Sequence, residues 1–145
     1  MATITQQQIE LIQISFNSVR PVSLAVAELF YAKLFDLDPS LRSMFKGDMA
    51  RQGVLLMTML STAVDSLSNL PGLVPALTAL GARHANYGVI DAHYATVGDA
   101  LIYTLAAAMG NDFTTELRDA WLALYRLTAE VMQQGANEAM LAAAA

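Results

Sequence analysis

Leu73-Val74-Pro75-Ala76-Leu77-Thr78-Ala79-Leu80-Gly81-Ala82-Arg83-His84-Ala85-Asn86-Tyr87-Gly88 repeats large apolar side chains at helical spacing and sets one imidazole among them. Leu73, Leu77, Leu80, His84 and Tyr87 are separated by four, three, four and three positions, so they share one helix face. Gly88 then stops the helix, because glycine takes the left-handed turn that ends one. Upstream, Asn69-Leu70-Pro71-Gly72 separates this helix, expected over 73–87, from a longer one over 49–67. That longer helix carries Gln52, Leu56, Met59, Leu60 and Ala63 on one face, with the amide at its head.

The same punctuation runs through the rest of the chain. Thr5-Gln6-Gln7-Gln8 has capping-box form, and Ile9, Ile12, Phe16 and Val19 follow at helical spacing. Pro21 ends that helix, and a second runs to about residue 35 with Val26, Phe30 and Leu34 on a stripe and Tyr31 beside it. Asp38-Pro39-Ser40 opens a short helical piece ending near Phe45, and Lys46-Gly47-Asp48 is a loop. Two long helices, 91–109 and 115–134, close the chain around Gly110-Asn111-Asp112, and the final Ala142–Ala145 reads as a frayed end. Alternating β-type runs are absent. The chain is therefore all-α, with seven to eight helices of unequal length in one domain spanning 1–145.

Composition excludes several kinds of chemistry. The 145 residues contain no cysteine, which rules out disulfides, thiolate zinc sites, iron–sulfur clusters and cysteine nucleophiles. Thirteen acidic residues against eight basic give a net charge of −5, with no basic run, so nucleic acid is not an expected partner. The first residues have neither a basic region nor an apolar core, which argues against a signal peptide and for a cytoplasmic protein. The uncharged stretch 66–82 is broken by Pro71-Gly72 and Pro75 and is too short for a membrane span, so no membrane is expected. No Gly-x-Ser-x-Gly elbow, phosphate-cradling glycine loop or carboxylate pair appears. With 55% hydrophobic residues, the chain has apolar surface to spare for a cofactor pocket or a contact between copies, as monomer or homodimer.

Only two histidines are available, so each can be weighed. From spacing alone His84 is either a core histidine bound to a backbone carbonyl, the commoner case, or a metal ligand. His93 lies in the turn before the next helix and reads as a solvated or capping residue. Gln52 is either an exposed first-turn residue or the polar member of a pocket. Tyr31 is either a buried tyrosine tied to the backbone or a donor in a site. Phe45 reads as core, and so do Met44, Met49, Met57, Met59, Met109 and Met132.

Taken in order, Phe30-Tyr31-Ala32-Lys33-Leu34-Phe35, Met44-Phe45, Gln52-x-x-x-Leu56, Leu80-Gly81-Ala82-Arg83-His84, Gly88-Val89, His93-Tyr94, Val97-Gly98 and Ala120-Trp121 resemble a globin. The pattern is similar to bacterial single-domain globins of the Vitreoscilla type and to the haem domain of flavohaemoglobins. Val97–Leu101 and Ala120–Tyr125 also resemble neuroglobin. The likeness covers about residues 5 to 135. It implies haem b, not covalently attached since cysteine is absent, with His84 as the proximal iron ligand. The other ring N–H of His84 is expected on the Leu80 carbonyl. Phe45 would pack on the haem plane, Leu56 would press on the gas side, and Tyr31 and Gln52 would form the distal polar pair. Val89, Tyr94 and Val97 match haem-contacting positions, and Arg83, with Lys46, would meet the propionates.

The same likeness implies reversible O₂ binding for storage, delivery or scavenging, with CO and NO as other gas ligands. The runner-up is nitric oxide dioxygenation, for nitric oxide detoxification. No flavin or nicotinamide domain follows, so turnover would need a separate reductase. The proximal glutamate of flavohaemoglobins would fall at Ala136, with Glu138 two residues on and Glu130 at a different position, so the His–Tyr–Glu network is expected to be incomplete. A gas sensor would need an output module, and the intact pocket pattern argues against a haem-free relative.

Overall fold

The computed structural model describes residues 3–144; Met1, Ala2 and Ala145, and with them the ends of the expected 1–145 domain and of the Ala142–Ala145 run, lie outside the described residues. Among the described residues six α-helices are present: α1 (Gln6–Val19), α2 (Ser23–Leu37), α3 (Met49–Asp65), α4 (Leu70–Asn86), α5 (Asp91–Met109) and α6 (Thr115–Ala144). With the 3₁₀ segment Pro39–Met44 they make seven helical elements, and Arg20–Val22, Leu67–Asn69 and Gly110–Asp112 are single 3₁₀ turns between them. No strand occurs among the described residues.

Side chains start the helices where the sequence suggests. Thr5 Oγ1 accepts from the Gln8 amide at 3.1 Å while Gln8 Oε1 accepts from the Thr5 amide at 3.0 Å, a closed capping box contributing about 1 kcal/mol. The Asp48 carboxylate accepts from the Ala50 amide at 3.0 Å and starts α3. Gly88 (φ 90°) and Gly110 (φ 58°) take the turns after α4 and α5, a conformation that L side chains resist.

Two boundaries differ from expectation by three residues or more. Helix α4 begins at Leu70, not Leu73, because Pro71 sits in the first turn, where no N–H is required. It then runs through Pro75, whose missing N–H leaves the carbonyl of Pro71, an exposed residue, without its helical donor. Helix α6 extends to Ala144, ten residues past Gln134, so Ala142–Ala144 are helical instead of frayed.

The core divides in two. The larger part joins α1, α2, α3, α5 and the first half of α6, around Phe16, Phe30, Leu34, Leu105 and Trp121. Trp121 is the largest fully buried side chain; its indole N–H donates to Ser15 Oγ at 3.0 Å and ties α6 to α1. Arg20 bonds Ser61 and Asp65 at 2.6 and 2.8 Å while lying over the Phe16 ring, fixing the α1–α2 corner to α3. The smaller part joins Leu73 and Leu77 of α4 to Tyr94 and to Leu127, Val131 and Met132 of α6. Met57 and Met132 are buried as expected, whereas Met59 is 40% exposed. It shares a face with Gln52 and Leu56.

No single described helix is long and apolar enough to cross a membrane; only the bent pair α3 and α4 has the required length and composition together.

Candidate functional site

The two core parts leave two apolar helix faces incompletely covered. Helix α3 buries Gly53, Met57 and Val64 against α1 and α2. Its Gln52, Leu56, Leu60 and Ala63 are only half-buried, and Met59 is exposed. Helix α4 packs on α6 and makes little or no direct contact with α3 or α5. Its stripe opens toward the C-terminal end: Leu73 and Leu77 are buried, Leu80 and His84 half-buried, and Tyr87 exposed. A planar apolar group has surface to cover on both helices.

His84 carries a defined chemistry. Its Nδ1 lies 2.8 Å from the Leu80 carbonyl oxygen. A carbonyl only accepts, so Nδ1 holds the proton and donates, and Nε2 keeps its lone pair for a Lewis acid. The His84 carbonyl in turn accepts from the amides of Tyr87 and Val89, at 3.0 and 3.1 Å, which holds the turn after the helix. His93 caps that turn: its Nδ1 accepts from the Ile90 amide at 3.1 Å, as a capping histidine should. No group of three or more His, Asp or Glu able to hold a bare metal ion exists among the described residues.

Tyr31 and Gln52 come together from α2 and α3. The Tyr31 ring is buried among Phe30, Phe35 and Phe45, with centroids 5.0, 6.0 and 5.4 Å away. Burial raises the Tyr31 hydroxyl above the ordinary tyrosine range, and a hydrogen bond from the Gln52 side chain partly offsets it. The hydroxyl is therefore neutral at pH 7 and able to donate. Phe45 packs edge-on against both Tyr31 and Phe35.

The remaining candidates fall as follows. Val89 and Val97 are half-buried, and Arg83 and Lys46 are exposed. Tyr94 is buried, and its hydroxyl has no hydrogen-bond partner among the described residues. Burial, then the nearby Asp91, raises the Tyr94 hydroxyl. Tyr125 donates to the Tyr94 carbonyl at 2.6 Å, and burial, then Tyr94 and Asp99, raises it too. Ala136 is half-buried and offers no carboxylate, Glu138 is exposed, and Glu130 borders a surface hollow of about 280 Å³ with Tyr94 and Tyr125. A second hollow, of about 350 Å³, lies by Phe16 and Arg20, and neither hollow is lined by Tyr31, Gln52 or His84.

Sequence reasoning missed what sets the height of α4. Gly81 and Gly135 stand where α4 crosses α6. A Cβ on Gly81 would run into the Met132 carbonyl, and one on Gly135 into the Thr78 carbonyl. Backbone therefore meets backbone three residues before His84. Two glycines inside apolar helices were the available signal, but Gly135 reads as a helix stop when taken alone.

A globin family model matches residues 28–132. Among curated proteins the chain is similar to neuroglobin of Chaenocephalus aceratus, 30% identical over 93% of this chain and 94% of that one. It is also similar to neuroglobin of Danio rerio, at 29% over the same shares. Among solved structures it superposes with a TM-score of 0.88 and 26% identity on an engineered carbene transferase. That protein derives from the Rhodothermus marinus protein assigned as a nitric oxide dioxygenase, and the match covers 99% of this chain and 100% of that one.

Proposed function

The chain belongs to the globin family, and from that premise we propose that it binds O₂ reversibly at a haem b held by His84, with Tyr31 and Gln52 as the donors that retain the gas. The observation that carries this reading is the His84 imidazole: Nδ1–H tied to the Leu80 carbonyl, Nε2 free, on an apolar face that the protein only half covers. The residues present fit a haem. Half-buried Leu56, Leu80, Val89 and Val97 offer apolar contact, Phe45 a ring, and the buried, unpartnered Tyr94 hydroxyl a polar atom still to be satisfied. Exposed Arg83 and Lys46 supply the positive charge that carboxylate side groups would meet. When bound, haem supplies a ferrous iron that takes a diatomic gas and shifts electron density onto O₂ more than onto CO.

The protein's part is to hold and to donate. The Leu80 carbonyl fixes the His84 tautomer and ring plane. With haem bound, the Tyr31 O–H and the Gln52 amide would be the donors to the gas, Tyr31 from an aromatic-lined wall, and each such bond to a partly charged acceptor would contribute about 1.5–3 kcal/mol. That favours O₂ over CO.

The second reading, nitric oxide dioxygenation with a separate reductase, is supported by the Rhodothermus marinus neighbour. Converting NO and O₂ to nitrate consumes one electron, so sustained turnover would need a reductant for each cycle. The test is NO consumption in air with NADH, with and without an added flavin reductase. A carrier consumes about one NO per haem and then stalls until the reductase is added; sustained fast consumption with NADH alone would overturn the carrier reading in favour of the enzyme.

A further inference from the structure

We propose that Arg42, outside the residues that would touch haem or gas, is the positioning residue that latches the distal tyrosine in place and so sets how long O₂ is held. The inference rests on the globin reading of Tyr31.

Arg42 is exposed, near the end of the 3₁₀ segment Pro39–Met44, and no carboxylate pairs with it among the described residues. Such an arginine ordinarily points into solvent. Here its Nη1 donates to the Phe45 carbonyl at 2.9 Å, and its guanidinium carbon lies 5.6 Å from the centre of the Phe35 ring. The Phe45 amide donates back to the Arg42 carbonyl at 3.2 Å. Both main-chain polar groups of Phe45 are thus tied to one residue, in extended backbone (φ −105°, ψ 95°) just where the segment enters the Lys46-Gly47-Asp48 loop. Without the Arg42 side chain, the Phe45 main chain would be held by the short turn alone, and the residue otherwise only by the packing of its ring.

The fixed Phe45 ring is part of the wall around Tyr31. Phe45 meets Tyr31 edge-on at 5.4 Å and Phe35 at 5.5 Å, while Phe35 stacks on Tyr31 at 6.0 Å. Arg42 touches two sides of this triangle, one through a carbonyl and one through a ring face. Tyr31 itself reaches toward Gln52, and a hydroxyl pivots with its ring. Loosening Phe45 therefore widens the range of Tyr31 orientations and weakens its hydrogen bond to the gas without removing the donor.

The test uses the haem-loaded full chain and measures O₂ dissociation by stopped flow, with the C–O stretching band of the CO form as a reporter of distal hydrogen bonding. Arg42→Met keeps an unbranched stem over Phe35 and loses the donor. It should release O₂ about two- to tenfold faster, a partial loss of the Tyr31 bond to the gas and so less than Tyr31→Phe, and split or shift the C–O band. Arg42→Lys, which can still reach the carbonyl, should fall between. In a Tyr31→Phe background, Arg42→Met should change the rate little further. An unchanged rate and band in Arg42→Met, with Tyr31→Phe fast, would overturn the latch alone. An equal acceleration in both backgrounds would show that Arg42 acts other than through Tyr31 and would also overturn it. An unchanged rate in Tyr31→Phe would remove the distal-donor reading, and the latch with it.

Discussion

Tyr31→Phe should release O₂ at least about tenfold faster than wild type, because on the proposed reading it deletes one charge-assisted donor to the gas from a buried ring. The ring remains, so its contacts with Phe30, Phe35 and Phe45 remain. Burial raises the hydroxyl above the ordinary tyrosine range, so it is protonated at physiological pH and able to donate. Gln52→Leu should do less. Gln52 is half-buried in the first turn of α3, where a flexible amide holds its geometry less firmly than a phenol packed on three rings. CO dissociation should change less than O₂ dissociation in both variants, since CO carries less charge for a donor to meet. Stopped-flow dissociation of both gases from the ferrous protein checks all of this. Equal O₂ rates in wild type and Tyr31→Phe would contradict the assignment of Tyr31.

Gly81→Ala and Gly135→Ala should each destabilise the fold by about 3 kcal/mol, the upper end of the usual range for overpacking, because the group struck is backbone and cannot rotate away. The added methyl forces α4 and α6 apart at their crossing, so the loss should extend to haem retention, with Gly81→Ala the worse because it lies three residues from His84. Gly47→Ala is the control: a Cβ there meets nothing, and its stability should stay within about 0.5 kcal/mol of wild type. Urea unfolding of the three variants, with haem loss measured in parallel, decides the matter. Wild-type stability in both crossing variants would mean that α4 and α6 are not in backbone contact.

How far the chain could be read before folding depended on whether a signal is local. Helix α5 begins and ends where expected because Gly88 and Gly110 are true left-handed turns on either side of it. The His84 stripe and the Leu80 carbonyl one turn back are likewise helix geometry, and both appear as expected. Gly135 carries the same letter as those turn glycines but serves a crossing of α6 with α4, so α6 runs ten residues past the expected end. Met59 looked like core because it shares a face with Leu56, and that face is one the packed helices leave open. Arg42 gave no signal at all. An arginine in a short polar turn is ordinary until folding brings the Phe45 carbonyl and the Phe35 ring within its reach.

The central claim is that His84 binds the iron of a haem that carries the gas. Absorption spectra of the purified wild-type and His84→Ala proteins, ferric, ferrous, and ferrous under O₂ and under CO, test it most directly. The wild type should show one haem b per chain, extractable by acid and organic solvent since no cysteine can attach it, with distinct spectra under O₂ and CO that revert under argon. His84→Ala should lose the histidine-ligated ferrous and CO spectra, and added imidazole should bring them back. If His84→Ala leaves those spectra unchanged, His84 is not the iron ligand and the account built on it is wrong.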